Sequence, residues 1–300
     1  MTNCSKIVLL GHTGFIGSRL AEKFREGRPG LALEGRSFPA FDLAASGASS
    51  ELETLFDERA VVVFLSGIKR QFGDDQDAFN KNVQMAANVC RALKTKPVAR
   101  LLFFSSAAVY GEDIHNTAIT EETPIRPTSF YGMAKYVSER LLWKTMMDTG
   151  RGSLVILRPP TVYGPGDPGK TYGPSGFVQA ALQGDPITLW GDGEELRDFI
   201  YLDDLVEAVF QLAFLDFAGL VNLASGRSVT FRQMLDILSA QLGRPLQITS
   251  RPRSKNKVDH VFVTDRLRTV LPGLRFTAME EGIARLLKDP GGGAPELQSL

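Results

Sequence analysis

Two residues four positions apart, Tyr131 and Lys135, could move a proton together. On a helix this spacing places both side chains on one face. A free phenol has a pKa near ~10, too high for a good acid or base at neutral pH, and a neighbouring ammonium lowers it. Ser106, which follows the apolar run Leu101–Ser105, could hold a substrate oxygen beside the phenol. We therefore expect Ser106, Tyr131 and Lys135 to form a catalytic trio that acts on a carbonyl.

A glycine-rich segment, Gly11–Gly17, follows the first apolar run of the chain, Lys6–Leu10. Gly11 permits a tight turn from strand to helix, Gly14 lets the backbone approach a pyrophosphate, and Gly17 lets the helix lie close to the sheet. Backbone amides and the positive end of the helix dipole would then face the phosphates. The other predicted cofactor contacts of this turn are Thr13, Phe15 and Ile16.

The two motifs together predict a bound nicotinamide dinucleotide. Its positive ring would add to the effect of Lys135 in lowering the pKa of Tyr131. Lys135 should also donate a hydrogen bond to the nicotinamide ribose. By position, the cofactor should also contact Leu65, Ser66, Gly67, Ser105 and Pro159.

The choice between NAD and NADP depends on the end of the second strand, where an acidic residue would bind the ribose 2′-hydroxyl. Here Gly35 takes the place of that acid, and Arg36 and Ser37 follow it. A guanidinium plus a hydroxyl suits a 2′-phosphate, which favours NADP(H). In the competing register Glu34 binds the hydroxyl and favours NAD(H). Asp42 is a candidate for the adenine amino group, or for a surface cap.

Short apolar runs alternate with segments of helical period, which predicts parallel strands joined by helices. The predicted strands are Lys6–Leu10, Leu31–Glu34, Val61–Leu65, Leu101–Ser105 and Leu154–Leu157. The predicted helices are Phe15–Glu26, Ala78–Leu93 and Tyr131–Met147. We therefore expect an α/β protein, a Rossmann-type doubly wound parallel sheet with ligands at the carboxyl ends of the strands.

Proline and glycine crowd the segment after Arg158, which predicts a loop that opens a smaller, C-terminal substrate-binding lobe. Residues 1–158 would form the dinucleotide-binding domain, with the chain returning to its sheet near Asp198–Leu202 and Leu220–Leu223, within 198–225. Residues 159–197 and 226–290 would form the lobe. The tail, 291–300, is expected to be disordered.

The composition argues against several classes of partner. Lys plus Arg number 34 and Asp plus Glu also number 34, so no overall charge attracts nucleic acid or an anionic membrane. Cys4 and Cys90 follow no metal or redox spacing, and the three histidines are scattered, so we expect no metal and a cytoplasmic location. No signal peptide is recognised at the start. The pair Glu121–Glu122 is expected in solvent.

The chain resembles the extended short-chain dehydrogenases of the nucleotide-sugar epimerase, dehydratase and ketoreductase group, from Lys6 to about Leu287. The matching motifs are Gly11–Gly17, Ser105–Gly111, Tyr131–Lys135, Leu157–Gly166, Gly191–Asp204 and Ala224–Gly226. The resemblance implies a nucleoside-diphosphate sugar in the lobe and NAD or NADP on the sheet. It also implies a homodimer built through the helices Ala78–Leu93 and Tyr131–Met147.

The resemblance further implies individual site residues. Arg197 matches an arginine that meets the substrate diphosphate in relatives, with an ion pair to Asp198 or Asp204 as the alternative. Arg253 or Lys255 could supply a second cation to the diphosphate. A last match, Asn82, borders the cofactor cleft in relatives, and a structural role is the alternative.

Departures from the family pattern bear on the reaction. Ala107 and Ala108 stand where 4,6-dehydratases carry an Asp-Glu pair, and neither can donate a proton, which argues against dehydration. Thr161 and Ser175 stand where many epimerases have substrate-binding asparagines, which weakens a plain UDP-galactose 4-epimerase assignment. Trp190 could shield the base or sugar of the nucleotide, or be buried in the core.

The leading prediction is an NADP(H)-dependent ketoreductase. It would deliver hydride to a 4-keto, 6-deoxy sugar linked to a nucleoside diphosphate while Tyr131 protonates the oxygen. One alternative is an NAD-dependent nucleotide-sugar 4-epimerase acting on a UDP-glucose/galactose-like substrate. Another is a non-catalytic dinucleotide sensor. A sensor does not require a proton donor, so the presence of Ser106, Tyr131 and Lys135 argues against it.

Overall fold

A computed structural model describes residues 4–168, 173–253 and 256–290. Its strands are β1 (Lys6–Leu10), β2 (Ala32–Arg36), β3 (Ala60–Phe64), β4 (Arg100–Phe104), β5 (Asn116–Ile119), β6 (Ser153–Arg158), β7 (Thr161–Tyr163), β8 (Ile187–Trp190), β9 (Leu196–Arg197), β10 (Phe199–Tyr201), β11 (Gly219–Asn222), β12 (Val229–Thr230), β13 (Ile248–Arg251) and β14 (His260–Phe262). Its helices are α1 (Phe15–Gly27), α2 (Ala48–Leu55), α3 (Gln76–Thr95), α4 (Phe130–Thr149), α5 (Pro174–Gln183), α6 (Leu202–Phe214), α7 (Phe231–Leu242), α8 (Asp265–Val270) and α9 (Met279–Lys288). Short 3-10 turns span Arg70–Phe72 and Ala107–Tyr110.

Six strands form a central parallel sheet in the order β11-β6-β4-β3-β1-β2. Both faces of the sheet are covered, so β3 is apolar along its whole length and every residue of β3 and β4 is buried. Alternate residues enter two different cores. Ile7 and Leu9 pack with α1 and α6, whereas Val8 and Leu10 pack with α2 and α3. The predicted Rossmann-type sheet is confirmed.

The predicted return of the chain to the sheet is right in one place and wrong in the other. Leu220–Leu223 was expected there, and β11 does pair with β6. Asp198–Leu202 was expected there too, but β10 pairs with β7 in a separate two-stranded parallel sheet. The aromatic rings explain this placement, because Tyr201 stacks edge-on to Tyr163 with ring centroids 5.4 Å apart.

A third apolar core lies outside the sheet and unites β7, β8 and β10 with α5, α7 and α9. The segment predicted as loop after Arg158 therefore contains a strand, β7, and a helix, α5, which starts with a proline where the missing N–H costs nothing. Toward the end of the chain, α8 packs Leu267 against the same core as α1 and α6. The predicted disordered tail, 291–300, lies outside the described residues.

Glu121 is a correction to the sequence analysis. It was expected in solvent, but its side chain is only 4% exposed and its Oε1 accepts a hydrogen bond from the Asn222 amide at 2.8 Å. It therefore terminates β11 from outside the strand, whereas Glu122 is exposed as expected. Among the helices of the described ranges, none is long and apolar enough to span a membrane.

Candidate active site

A cavity of about 910 Å³ lies at the carboxyl ends of β1, β3, β4 and β6. Its walls include most of the predicted cofactor contacts: Gly11, Thr13, Gly14, Phe15, Ile16, Gly17, Ser37, Asp42, Leu65, Ser66, Gly67, Ser105 and Pro159. Ser106, Tyr131, Lys135 and Thr161 line the same cavity. The sequence motifs, separated along the chain, therefore meet at one place.

The glycine turn has the shape that a dinucleotide phosphate requires. Gly11 has φ of +101°, which favours glycine. A Cβ on Gly17 would lie 2.0 Å from the Gly11 carbonyl oxygen, so a side chain there cannot be accommodated. A Cβ on Gly14 would meet only that oxygen, at 3.4 Å, and no side chain caps α1. The first-turn amides of α1 therefore remain available to an anion, and the turn fits a pyrophosphate.

The end of β2 differs from the prediction in one residue. Ser37 lines the cavity, and its Oγ accepts a hydrogen bond from the Thr13 amide at 3.1 Å. Arg36 does not line it, because its Nε donates to Glu51 at 2.9 Å and its Nη1 lies 3.6 Å from Glu34. Glu34 is likewise absent from the cavity wall. Of the three polar candidates at this strand end, only Ser37 faces the cofactor space.

Two other predicted contacts behave differently from one another. Asp42 lines the cavity and caps its own turn by accepting from the Ala44 amide at 2.9 Å. Asn82 is buried and lies behind the wall. It accepts from the Ile68 amide at 2.8 Å and donates to the Ile68 carbonyl at 3.0 Å. Its structural role is therefore to hold the loop after β3, whose Gly67 touches the cavity.

Tyr131 and Ser106 are brought together by the starts of two helical turns. Ser106 caps the 3-10 turn, with its Oγ accepting from the Ala108 amide at 3.1 Å. Ser129 caps α4, which places Tyr131 in the first turn. Burial raises the pKa of the Tyr131 phenol to about 12, and the nearby Ser106 hydroxyl opposes that rise. The protein's own groups therefore do not lower the phenol pKa as the sequence predicted.

The position of Lys135 explains this difference. Its Nζ lies 5.8 Å from the centroid of the Tyr131 ring and donates to the Phe104 carbonyl at 2.6 Å. Burial lowers the pKa of Lys135 to about 8, with the Glu139 carboxylate opposing and Lys69 adding to the effect. The ammonium is anchored to the end of β4, at the cavity wall, and its hydrogen bond in the described structure goes to a backbone carbonyl.

A buried ionic network behind the trio was missed by the sequence analysis. Glu139 accepts two hydrogen bonds from Arg158, at 2.8 and 2.6 Å, and both side chains are almost fully buried. Ser105 also donates to Glu139, and Arg158 donates to the Tyr110 hydroxyl at 2.9 Å. The available signal was the spacing of Glu139, one turn beyond Lys135 on the same helix face.

Lys69 is a second lysine in the cavity that sequence reasoning missed. It lies just beyond the predicted contacts of the loop after β3, and its Nζ is 5.6 Å from the Phe15 ring centroid. Burial lowers its pKa, and Asp167, on the same wall, opposes that shift. Its cationic head adds positive charge to the cofactor space, where phosphates would be held.

An ionic link ties the loop after β3 to the start of α4. Asp74 accepts from the Tyr131 backbone amide at 3.0 Å. Arg70 lies 3.4 Å from Asp74 and 3.0 Å from Glu112. The Glu112 charge also favours the protonated phenol of Tyr131. This link fixes Tyr131 through its backbone amide.

Two of the predicted diphosphate contacts, Arg197 and Arg253, do not line the main cavity. Arg197 donates to the Leu196 carbonyl at 2.9 Å and also to the Val258 carbonyl. Arg253 pairs with Asp192 at 2.7 Å and with Glu195. Lys255 lies outside the described residues.

Five further residues were considered as substrate contacts, and the structure places each of them. Trp190 is 42% exposed, so its alternative placement in the core is wrong. Ser175 is buried, and its hydroxyl makes no hydrogen bond within the described part of the chain. Ala107 and Ala108 form the 3-10 turn directly after Ser106. Thr161 alone of these five lines the cavity, beside Pro159 and Pro160.

Residues 7–218 match the model of the NAD dependent epimerase/dehydratase family. The chain belongs to this family. The expected resemblance to extended short-chain dehydrogenases is confirmed, and this epimerase/dehydratase-family protein is an NAD(P)-dependent enzyme. In the described ranges, no group of three or more His, Cys, Asp or Glu side chains is placed to hold a metal ion.

Three relatives illustrate the range of the family. A dTDP-6-deoxy-L-talose 4-dehydrogenase (NAD(P)(+)) from Kitasatospora kifunensis is 29% identical over 269 residues, which is 83% of this chain and 82% of that protein. A putative UDP-glucose 4-epimerase from Methanocaldococcus jannaschii is 25% identical over 94% of this chain and 97% of its own length. The structure of Thermus thermophilus UDP-glucose 4-epimerase with NAD superposes with a TM-score of 0.82 at 24% identity, over 96% of this chain and 99% of that one.

Proposed function

We propose that this protein is an NADP(H)-dependent ketoreductase that reduces a 4-keto, 6-deoxy sugar linked to a nucleoside diphosphate. The observation that carries the proposal is the placement of Tyr131 beside Ser106 in the wall of the cofactor cavity, where desolvation raises the phenol pKa to about 12. Such a phenol is protonated at neutral pH and ready to donate. A reductase begins by donating a proton, whereas an epimerase begins by removing one from a sugar hydroxyl.

The residues have separate tasks in this reaction. Ser106 holds the keto oxygen of the sugar, and Tyr131 delivers a proton to that oxygen. The bound nicotinamide supplies the hydride. Lys135, fixed by the Phe104 carbonyl, presents its ammonium to the ribose side of the cofactor space. The 4-dehydrogenase relative, named for a 6-deoxy sugar and for either cofactor, supports the substrate class.

The preference for NADP(H) is supported by the end of β2. Gly35 leaves no carboxylate there to repel a 2′-phosphate, and Ser37 faces the cavity. Arg36 is held by Glu51, but that carboxylate is 49% exposed. Exposed ion pairs contribute only about 0–1 kcal/mol, so a phosphate can take the place of Glu51 at the guanidinium.

The test is cofactor consumption by the purified protein. Given a dTDP-linked 4-keto, 6-deoxy sugar, we expect stoichiometric oxidation of NADPH, faster than of NADH, with one alcohol formed per cofactor. Mass spectrometry of the protein as purified identifies any bound dinucleotide. Tightly held NAD(H), together with no net NADPH consumption, would rule the proposal out.

The second candidate is an NAD-dependent nucleotide-sugar 4-epimerase, favoured by the whole-length likeness to the Methanocaldococcus relative. It would interconvert UDP-glucose and UDP-galactose with no added cofactor. The same purified protein can be assayed for this interconversion. A non-catalytic dinucleotide sensor is the third candidate, and the assembled trio argues against it.

The free thiols of Cys4 and Cys90 support a cytoplasmic location.

A further inference from the structure

A second cavity, of about 440 Å³, opens beside α8 and shares no lining residue with the cofactor cleft. Three arginines, Arg227, Arg268 and Arg275, line it together with Ser225, Pro272 and Phe276. Ser225 and Arg227 follow β11, and the other residues belong to α8 and the segment after it. Its lining includes none of Ser106, Tyr131, Lys135, Arg197 and Arg253.

The three guanidinium groups are exposed and lack acidic partners among the described residues. Other exposed or half-buried arginines of the described ranges do have acidic partners. Arg19 binds Asp203 and Glu22, and Arg266 lies against Glu121 and Glu122. Three like charges at one cavity repel one another unless an anion lies between them.

The buried carboxylate of Asp198 lies beneath the loop of Ser225–Arg227, and the described structure shows no ion pair between it and the three arginines. Asp198 accepts from the Ser225 amide and hydroxyl, both at 2.9 Å, and from the Gly226 amide at 2.8 Å. These bonds fix the loop that carries Arg227 at the cavity rim. Asp265, at the start of α8, forms no ion pair with the three arginines in the described structure.

We propose that this cavity is a second binding site for a phosphate-bearing small molecule, with Arg227, Arg268 and Arg275 holding the phosphate. Guanidinium groups bind phosphate oxygens through paired N–H donors and keep their charge at every physiological pH. Phe276 and Pro272 give the remaining wall an apolar surface that suits a ring or a carbon chain of the ligand. The site does not depend on the ketoreductase proposal.

The cavity is joined to the lobe by a short path of backbone. Val229, two residues past Arg227, pairs with Arg197 across β12 and β9. Asp198, the neighbour of Arg197, holds the Ser225–Gly226 backbone. A ligand that orders the rim would therefore be linked through backbone to β9, the strand that carries Arg197.

The test is calorimetric titration of the full chain with inorganic pyrophosphate. We expect a binding event that weakens about tenfold in Arg268→Gln and again in Arg275→Gln, the change for losing one charge-assisted hydrogen bond. Gly14→Ala, which alters only the cofactor turn, should leave this event unchanged. Arg151→Gln is the matched control, because Arg151 is an exposed arginine beside the opposite, amino-terminal end of β6.

The variants change only exposed side chains, and their thermal unfolding midpoints check the fold. Equal isotherms for wild type and the combined Arg227, Arg268 and Arg275 to Gln variant would overturn the proposal. So would the absence of any binding at millimolar pyrophosphate. Loss of the event in Gly14→Ala but not in the arginine variants would assign it to the cofactor cleft, and would overturn the proposal as well.

Discussion

At the phenol of Tyr131, opposing effects set the protonation state. Burial and the Glu112 charge raise the pKa of Tyr131, whereas the Ser106 hydroxyl lowers it. The Lys135 ammonium donates its hydrogen bond to the Phe104 carbonyl and not to the phenol. The protein alone therefore keeps a proton on Tyr131, and only a cationic ring bound in the cleft would favour its release.

Replacing Tyr131 by phenylalanine should abolish turnover while leaving the cofactor site intact. The ring keeps its volume and loses only the hydroxyl, so we expect kcat to fall by about 10²–10⁴, the contribution of a positioned proton donor. Cofactor affinity, measured by fluorescence titration, should change little. Tyr136→Phe on the same helix is the control. Full activity in Tyr131→Phe would show that the proton comes from another group.

Lys135 should make stability depend on alkaline pH. Its pKa is about 8 in the folded protein, below its ordinary value of 10.5. Between those values the unfolded chain binds more protons, so this group makes stability rise with pH. Compared with Lys135→Met, the wild type should gain on the order of 1–2 kcal/mol from about pH 8 to pH 10. The free energy of unfolding of each protein is measured by denaturant titration at each pH. An equal change with pH in wild type and Lys135→Met would contradict the assignment.

At the scale of elements, two glycines of the turn between β1 and α1 should respond in opposite ways to alanine. In Gly17→Ala the new Cβ would lie 2.0 Å from a backbone oxygen, so we expect a loss of stability of several kcal/mol. In Gly14→Ala the closest protein atom is 3.4 Å away, so stability should hold while cofactor affinity falls. Chemical denaturation and cofactor titration separate the two effects.

Gly30→Ala is the control for both substitutions, since a Cβ there meets nothing within 4 Å. The interpretation fails if Gly14→Ala binds cofactor as well as the wild type does. It fails also if Gly17→Ala unfolds at the same denaturant concentration as Gly30→Ala.

Local patterns explain which elements and site residues were predictable. The strands of the sheet and the trio depend on spacing within short segments, and the structure brings Ser106, Tyr131 and Lys135 to one cavity as expected. Glu139 was missed because its partners come from β4 and β6, which no local pattern links. The pairing of β10 with β7 is decided by aromatic packing between distant segments, so sequence period could not predict it.

The end of β2 illustrates a different limit. The sequence placed Arg36 and Ser37 there correctly, but strand alternation and the reach of a long side chain decide which one faces the cofactor. Glu51, from α2, captures the guanidinium, and that residue lies 15 positions away in the chain. The sequence shows which residues stand at the end of β2. The direction of the Arg36 side chain, however, depends on Glu51, which belongs to a different element.

For the whole molecule, the exposed face of α4 predicts self-association. Met133, Trp143 and Met147 are 36%, 42% and 61% exposed and lie on one side of the helix. The family resemblance implies a homodimer through this helix and α3. We expect a dimer in sedimentation experiments at micromolar concentration, and a monomer for Trp143→Glu, whose charge would be buried in the interface.

Leu182→Glu is the control for that substitution, because Leu182 is 43% exposed on a different helix, α5. A wild-type protein that sediments as a monomer at micromolar concentration would contradict the dimer prediction. Equal sedimentation of wild type and Trp143→Glu as dimers would instead place the interface elsewhere.

The Glu139–Arg158 pair has a consequence for anyone who redesigns this enzyme. It holds α4 against the end of β6 through two side chains that are almost fully buried. Removing one partner leaves a stranded charge and costs about 3–5 kcal/mol, whereas exchanging both for apolar residues of similar volume can be neutral. Such a double exchange should preserve Tm yet let the helix shift, so that a protein as stable as its parent turns over its substrate more slowly.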